Sequence, residues 1–391
     1  SSGDRVAKLM PPMILGNTAT ISECLSLDEE NTSGYSKEFY SASEELRKQY
    51  KNDEEAKQII DIALGLEGLR RQDGIHAAAI VISPDTITKF LPIQQKGSNA
   101  EIVTQYEMHT VEQLGLLKMD FLGLRNLSIV DRTLELIGSE SLDIDNLKLD
   151  DEKTFKLFAE GKMTGVFQLE SRVAQSTSRS LKPKRFEDIV ALVALIRPGP
   201  LGAGMHNEFA DRANNRKEIE YLHSDLESIL NETYGVILYQ EQVMQIAEKI
   251  AGFNLQEADN LRVAMGKKIP KVMEEQRKKF TDGAVSNNYS EQFAIELFDQ
   301  IAYFAGYGFN KSHSVPYALL AYQTAYLKAN YPAEYIAACL TAVKRDKDRT
   351  AIFLSEARDM GVKVSTPDVN LSSSDFTVND NEILFGLSAV R

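Results

Sequence analysis

Residues 74–83 read GIHAAAIVIS and residues 116–124 read LLKMDFLGL, and these two stretches decide the expected fold. Each contains a short apolar run that is closed by a turn signal, such as Ser83-Pro84 after the first. Short apolar runs between turn signals are typical of buried strands. With residues 102–106 as a further strand candidate, we predict a small β-rich unit over residues 73–123, the only convincing sheet in the sequence.

Outside this unit, apolar residues recur every three or four positions, as on one face of an α-helix. The predicted helices, several of which end at glycine or before proline, cover residues 54–69, 124–137, 186–196, 240–251, 257–265, 291–304 and 317–330. Asn31–Tyr40 has the polar, Ser-rich composition of a loop, and residues 362–391 again alternate in strand-like fashion. The expected fold class is α+β and mostly α-helical, with the β-rich unit before a large helical region.

The chain has 391 residues, a length that suggests two or three domains. Its composition, 43% hydrophobic and 26% charged, excludes the disordered and fibrous classes of protein. The apolar runs are far shorter than the ~20 residues that a membrane-spanning helix needs. Cys24 and Cys339 are too far apart in sequence to indicate a disulfide framework or a metal cluster. We therefore expect a cytoplasmic protein that does not act in a membrane.

The net charge of −13 argues against nucleic acid covering the whole surface, but it leaves room for a local basic track. The chain opens without Met and stops shortly after the alternating stretch 383–387. Both ends therefore look cut from a longer protein.

Lys118 and Asp120 are two residues apart on a predicted strand, so both side chains should project from the same face. Leu117, Met119 and Phe121 would then be buried on the other face. A carboxylate at the end of a strand suits Mg²⁺, and a neighbouring lysine suits a phosphate. A surface ion pair at a strand edge would give the same pattern, so the spacing alone leaves both interpretations open.

A basic track runs against the acidic character of the chain, with only Glu274 and Glu275 interrupting its cations. The cations are Arg262, Lys267, Lys268, Lys271, Arg277, Lys278 and Lys279. Such a track is what binding along a phosphate backbone requires. The alternative is a solvated helix whose acidic and basic side chains pair with one another.

Residues 306–313 read GYGFNKSH and combine aromatic, amide, ammonium, hydroxyl and imidazole groups beside two glycines. Glycine allows a ligand to approach the backbone closely, aromatic rings stack on bases, and Lys or His can bind phosphate. A loop with a buried histidine is the alternative. His76 lies in the predicted buried strand, where a satisfied core histidine is the alternative to a ligand contact. The sequence contains no nucleophile triad, Walker-type loop or dinucleotide-binding fingerprint.

Several further segments belong with these motifs. In order they are DRVAKLMPP (4–12), GIHAAAIVIS (74–83), VTQY (103–106), LLKMDFLGL (116–124), GVFQLES (165–171), ALVALIRPGPL (191–201), TYGVILYQEQVMQI (233–246), AMGKK (264–268), FAGYGFNKSHS (304–314) and residues 322–334. Together they resemble one family, the alpha subunit of bacterial DNA polymerase III, the C-family of replicative DNA polymerases. The segments occur in the family's order across almost the full chain.

The resemblance implies a division into parts. Residues 1–72 would be the end of the thumb, and residues 73–124 the second half of a nucleotidyltransferase-like palm. Residues 125–364 would form the helical fingers, and residues 365–391 would lead into the next domain, which is missing here.

The family adds deoxynucleotides to a primer 3′ end, using three palm aspartates and two Mg²⁺ ions. By resemblance, Asp120 matches the third aspartate, a catalytic metal ligand, and Lys118 matches a phosphate-facing lysine. The other two aspartates belong to an Asp-x-Asp motif upstream of residue 1, so we expect this chain to be inactive alone.

The resemblance also assigns binding roles to residues of the fingers and of the palm. Those expected to bind the incoming nucleotide are Arg262, Lys267, Lys268, Tyr307, Asn310, Lys311, Ser312 and His313. Those expected to bind DNA phosphates are His76, Arg197, Lys271, Arg277, Lys278 and Lys279. The implied partners are primer–template DNA and a dNTP, with the sliding clamp and other replicase subunits bound through regions missing here.

Two local departures from the family's pattern keep an alternative open. The family has paired arginines before AMGKK, whereas this chain has Arg262-Val263, and residues 173–177 replace the family's Gly-Met-Arg. Loss of one cation should weaken nucleotide binding unless Lys267 or Lys268 compensates. The alternative is a non-catalytic nucleic-acid-binding or scaffold protein that retains the fingers, and a translesion paralogue is a further possibility among the enzymes.

Overall fold

In a computed structural model the chain divides into two units, residues 1–124 and residues 125–391. The structure describes residues 2–12, 18–26, 34–69, 72–98, 100–138, 142–267, 270–305 and 308–390. Within these ranges the side chains of residues 34–36, 266, 267, 270, 271 and 305 are not described. Most of the described residues are helical and the strands are short, which confirms the expected α+β, mostly α-helical class.

Short helices open the first unit. They are α1 (Ser2–Ala7), α2 (Ile21–Leu25), α3 (Gly34–Ala42), α4 (Glu44–Asn52) and α5 (Glu54–Leu66). Val6, Leu46 and Ile60 are central to the core that these helices bury. Asp53 begins α5 by accepting a hydrogen bond from the Ala56 N–H at 3.1 Å, as an N-cap residue does.

The loop predicted over Asn31–Tyr40 is wrong from Gly34 onward, because α3 occupies those residues. Phe39 is buried, and the guanidinium of Arg47 lies 3.6 Å from the centroid of the Tyr40 ring. Tertiary packing of these aromatic side chains therefore overrides the polar local composition of the segment.

The β-rich part of the first unit follows. Its elements are β1 (Ala79–Ile82), β2 (Ile93–Gln95), β3 (Ile102–Thr104), α6 (Met108–Gln113) and β4 (Leu117–Asp120). Antiparallel pairing joins β1 to β4, with Ala79 opposite Asp120 and Val81 opposite Lys118, and a separate antiparallel pair joins β2 to β3. Leu91, Val111 and Leu116 form a small core, against which Val81 packs.

Only one face of the β1–β4 pair is packed, which corrects the prediction of a buried strand. Ile80 and Leu117 lie on the other face and are 55% and 56% exposed. The expected burial of Leu117, Met119 and Phe121 is likewise wrong, because all of them are exposed. The apolar run also begins before the strand does, since β1 starts only at Ala79.

The second unit consists mainly of helices. They are α7 (Arg125–Ile137), α8 (Glu152–Glu160), α9 (Arg172–Leu181), α10 (Phe186–Leu195), α11 (Pro198–Gly202), α12 (Met205–Ala213), α13 (Glu227–Leu230), α14 (Gln240–Ala251), α15 (Leu255–Lys267), α16 (Pro270–Ser286), α17 (Glu291–Ala305), α18 (Lys311–Asn330), α19 (Pro332–Val343) and α20 (Lys347–Asp359). A small sheet follows, of β5 (Lys363–Val364), β6 (Thr377–Asn379) and β7 (Glu382–Leu384), in which β7 pairs parallel with β5 and antiparallel with β6. This sheet lies within residues 362–391, where the sequence alternates in strand-like fashion. The prediction that the β-rich unit contains the only sheet is therefore wrong.

Two hydrophobic cores organise the second unit. The larger one is built around α10, α18 and α19, and every residue from Asp188 to Leu195 of α10 is buried. A helix that is apolar on all sides belongs in the interior of a protein. The smaller core lies among α14, α15, α16 and α17, where α14 contributes Val243, Ile246 and Ile250. Among the described helices, none combines the length and the apolar character needed to cross a bilayer.

Several helix boundaries differ from the predictions, while α14 begins and ends as predicted. The Arg197–Pro200 turn instead opens α11, with Pro198 at its first position, where proline is well tolerated. Helix α15 continues through Gly266. Helix α18 begins at Lys311 rather than at residue 317 and includes Pro316, because Asn310 caps it by accepting the His313 N–H at 2.9 Å.

A buried lysine joins three elements of the larger core. The side chain of Lys328 on α18 is only 1% exposed, and its Nζ donates to the carbonyl oxygens of Lys162 and Thr164 at 2.7 Å and to Glu356 Oε1 at 2.6 Å. Burial lowers the pKa of the Lys328 ammonium, and the neighbouring Glu356 carboxylate opposes this effect. The ammonium thus connects the turn after α8, α18 and α20.

Replacing Lys328 with Met should destabilise the chain by about 3–5 kcal/mol, because the largely buried Glu356 carboxylate and two carbonyl groups would lose their partner. The free energy of unfolding in urea measures this. Lys347→Met is the matched control, since Lys347 is exposed at the start of α20. Equal unfolding midpoints for the two variants would contradict the structural role of Lys328.

Candidate functional site

Lys118 and Asp120 form a two-pronged contact on β4. Lys118 Nζ donates to Asp120 Oδ1 at 2.7 Å and to Oδ2 at 2.8 Å, and both side chains project from the same face of the strand. The hydrogen bond from Lys118 lowers the pKa of the Asp120 carboxyl, so the group is ionised at neutral pH. Asp120 is therefore a partly exposed anion with a cation bound to both of its oxygens.

His76 lies beside this pair, but not where it was predicted. It precedes β1 and its side chain is 53% exposed, so the interpretation of His76 as a buried core histidine is wrong. Its Nδ1 accepts hydrogen bonds from the Ala78 N–H at 3.2 Å and the Ala79 N–H at 3.0 Å, and lies 3.7 Å from Asp120 Oδ1. Because Nδ1 is an acceptor, the neutral ring carries its proton on Nε2, which remains available to a ligand.

The chemistry of Asp120 fits a divalent metal ion such as Mg²⁺, which prefers carboxylate oxygens. Among the residues that the structure describes, no group of three or more His, Cys, Asp or Glu side chains could hold such an ion. Asp120 can therefore contribute one ligand, and a complete metal site needs further carboxylates.

A second group of predicted residues meets in the second unit, where the chain before α14 pairs with the chain before α18. A parallel bridge joins Tyr239 to Phe309. The Phe309 N–H donates to the Leu238 carbonyl at 3.1 Å, and the Gln240 N–H donates to the Phe309 carbonyl at 2.9 Å. Segments about 70 residues apart in sequence are thereby held side by side.

Two arginines join this pairing. Arg262 on α15 binds Asp259 Oδ1 through Nε at 2.9 Å and Nη2 at 2.8 Å, and its Nη1 lies 3.5 Å from Gln240 Oε1. The guanidinium of Arg197 lies 4.3 Å from the centroid of the Phe309 ring. Burial lowers the pKa of this guanidinium. We call the residues Arg197, Gln240, Glu241, Arg262 and Phe309–His313 the α14–α18 cluster.

The turn at the start of α18 is held by carboxylates. Glu241 accepts the Lys311 N–H at 3.0 Å with Oε1 and at 2.9 Å with Oε2, and Lys311 Nζ pairs with Glu232 at 2.6 Å. Ser312 and His313 are exposed, so the alternative of a buried histidine in this loop is also wrong. The His313 ring lies 4.3 Å from the Tyr317 ring.

The basic track is interleaved with acidic residues from other helices. Arg277 pairs with Asp299, and Lys279 Nζ pairs with Glu257 at 2.8 Å. Lys278 is exposed, and its side chain forms no hydrogen bond or ion pair with the described part of the chain. Tyr307 and Lys268 lie outside the described residues, as do the side chains of Lys267 and Lys271, so their predicted roles stay predictions.

The sequence reasoning missed four acidic or amide residues at these sites, namely Glu232, Gln240, Glu241 and Asp259. Their signal is weak, and for Glu232 and Glu241 an acidic residue in a first helical turn usually only complements the helix dipole. The segment at 233–246 contained Gln240 and Glu241, but nothing local indicates that they meet the start of α18.

Two family models match the chain and together cover most of it. The model of the bacterial DNA polymerase III alpha NTPase domain matches residues 6–123, and that of the bacterial DNA polymerase III alpha subunit finger domain matches residues 126–288. These ranges lie within the two structural units.

Curated relatives match nearly the whole chain. The DNA polymerase III subunit alpha of Mycobacterium tuberculosis is 42% identical over 395 residues, covering 99% of this chain and 33% of the relative. That of Escherichia coli K12 is 43% identical, with 99% and 33% covered, and that of Thermus aquaticus is 48% identical, with 89% and 29% covered. The chain spans about a third of the length of these relatives. It belongs to the family of bacterial DNA polymerase III alpha subunits.

Proposed function

We propose that this chain is part of a replicative DNA polymerase that adds deoxynucleotides to a primer 3′ end on a DNA template. The observation that carries the proposal is the Lys118–Asp120 contact in a chain similar to DNA polymerase III alpha subunits over nearly its full length. In such a polymerase, residues 1–72 would belong to the thumb and residues 73–124 to the palm. Residues 125–364 form the fingers, with 365–391 at their end.

Asp120 would hold magnesium through its carboxylate, together with two aspartates supplied by sequence outside this chain. With two Mg²⁺ ions bound, the site would supply activation of the primer 3′ oxygen and neutralisation of the leaving pyrophosphate. The carboxylate of Asp120 cannot bind Lys118 and a metal ion equally well. We therefore expect the Lys118 side chain to move when metal binds, so that its ammonium leaves Asp120 and pairs with a phosphate of the incoming nucleotide. Asp120 and Lys118 would then each have a partner of opposite charge.

The α14–α18 cluster would bind the incoming nucleotide. Arg262 is partly exposed and can direct its guanidinium to a triphosphate when it leaves Asp259, and the side chains of Asn310, Ser312 and His313 can bind polar groups of the nucleotide. Cations aimed at the triphosphate stabilise the charge that develops as it breaks. By resemblance, Lys267, Lys268, Tyr307 and Lys311 would belong to the same pocket.

Phosphates of the primer–template DNA would be bound by a second set of residues, of which Arg197 also belongs to the α14–α18 cluster. These are His76, Arg197, Lys271, Arg277, Lys278 and Lys279. Such contacts position the duplex without reading its sequence, which is what a polymerase needs. The sliding clamp and other replicase subunits would bind regions outside this chain, and the function implies action in the cytoplasm.

In the complete polymerase that carries this chain, Asp120→Asn should lower kcat for primer extension by about a thousandfold or more, because one metal ligand loses its charge. Single-turnover extension with Mg²⁺ measures the rate. Asp85→Asn is the matched control, since Asp85 is an exposed aspartate paired with Lys89 in the same unit. Extension by Asp120→Asn at the parent rate would instead favour the non-catalytic scaffold.

Lys278→Ala should weaken binding of primed DNA and reduce the slope of log affinity against log salt by about one, because one phosphate contact is lost. Fluorescence anisotropy at several salt concentrations measures both quantities. Lys153→Ala on α8 is the control, as an exposed lysine outside the track. Identical salt slopes for the parent chain and Lys278→Ala would remove this residue from the DNA surface.

A further inference from the structure

Glu241 lies where the first turns of two helices meet. It is the second residue of α14, and its carboxylate accepts hydrogen bonds from the first residue of α18, Lys311, at 2.9 and 3.0 Å. Its Oε1 also lies 3.4 Å from the N–H of Ser312. Both helices direct the positive ends of their dipoles toward this carboxylate, which is a favourable place for an anion.

The N–H groups at the start of α18 are therefore already used. Glu241 takes those of Lys311 and Ser312, and Asn310 Oδ1 takes that of His313 at 2.9 Å. The start of a helix often binds a phosphate through these groups, but here a carboxylate of the protein occupies that place. A nucleotide phosphate could reach them only by displacing Glu241.

The backbone on the other side of Asn310 is held as well. The Phe309 N–H and carbonyl bond to Leu238 and Gln240 at 3.1 and 2.9 Å, and Gln240 Nε2 lies 3.4 Å from the Gly308 carbonyl. The turn is thus fixed from both directions by residues 238–241. Its side chains at Ser312 and His313 remain exposed.

We propose that Glu241 is a positioning residue for nucleotide binding. Its carboxylate holds the turn at residues 310–313 so that side chains, rather than backbone N–H groups, contact the nucleotide. The negative charge also keeps the triphosphate away from the start of α18 and leaves it to Arg262, which Gln240 links to the adjoining residues Gly308 and Phe309. This role rests on the proposed function.

A competing role for the same carboxylate predicts the opposite result. If Glu241 merely occupied the phosphate site until nucleotide displaced it, removing its charge would strengthen nucleotide binding. If it positions the turn, removing its charge weakens binding. The direction of the change in KM for the incoming dNTP therefore separates the two roles.

The experiment compares Glu241→Gln and Glu241→Ala in the complete polymerase that carries this chain. Gln keeps one acceptor for the Lys311 N–H, and Ala keeps none. We expect KM for the dNTP to rise about tenfold in Glu241→Ala, corresponding to about 1.4 kcal/mol, and less in Glu241→Gln. We expect kcat to change by no more than about threefold, because Glu241 touches no reacting group. Glu248→Gln is the matched control, as an exposed glutamate further along α14.

Hydrogen exchange in the nucleotide-free protein gives a readout that does not depend on activity. The amides of Lys311 and Ser312 should exchange faster in both Glu241 variants, while the buried amides of α14 around Ile246 stay protected and show that the protein is folded. A lower KM, or unchanged exchange at Lys311 and Ser312, would overturn the positioning role. If the parent polymerase extends no primer while the Glu241 variants still exchange faster at Lys311 and Ser312, the proposed function is refuted. The structural contact made by Glu241 would then still stand.

Discussion

The packing of α18 against α10 is the constraint on which the second unit depends. Small residues on α18, including Ala318, Ala321 and Ala325, are fully buried against the larger core, and Ser314 Oγ donates to the Val190 carbonyl at 2.7 Å. Close-packed helices of this kind cannot shift without opening voids. Because α18 begins at Lys311, its buried length holds the exposed turn at its start in one place. The α14–α18 cluster is thus positioned by a rigid helix rather than by a free loop.

The charges of the chain follow a consistent arrangement. Cations proposed to bind phosphate, such as Lys118, Arg262 and Lys279, are each paired with a carboxylate. These pairs are partly exposed, and exposed ion pairs contribute only about 0–1 kcal/mol each. Replacing the carboxylate partner of such a cation by a phosphate would therefore cost little free energy. The arrangement also explains how a chain with a net charge of −13 can keep cations on its surface, since several of them have an anionic neighbour that a phosphate can replace.

Local signals predicted part of this architecture well and failed where partners are distant in sequence. The bounds of α14 follow from its apolar spacing and from Gly252, whose φ of +68° suits the end of a helix. The start of α18 was missed because Pro316 is a strong local stop signal, whereas the capping role of Asn310 shows only when the helix is formed. The short helix α6 and the strand β2 were missed because so few residues carry no clear periodicity.

By itself, the sequence determined that Lys118 and Asp120 share one face, because side chains alternate along any strand. It also determined the mostly helical class and, through its ordered segments, the family. Only the tertiary structure decided that Glu241 binds the start of α18 and that Gln240 links Arg262 to the backbone at Gly308 and Phe309. It likewise decided that one face of the β1–β4 pair is exposed. Such contacts depend on which apolar faces bury one another across long stretches of chain, and local patterns carry no information about that choice.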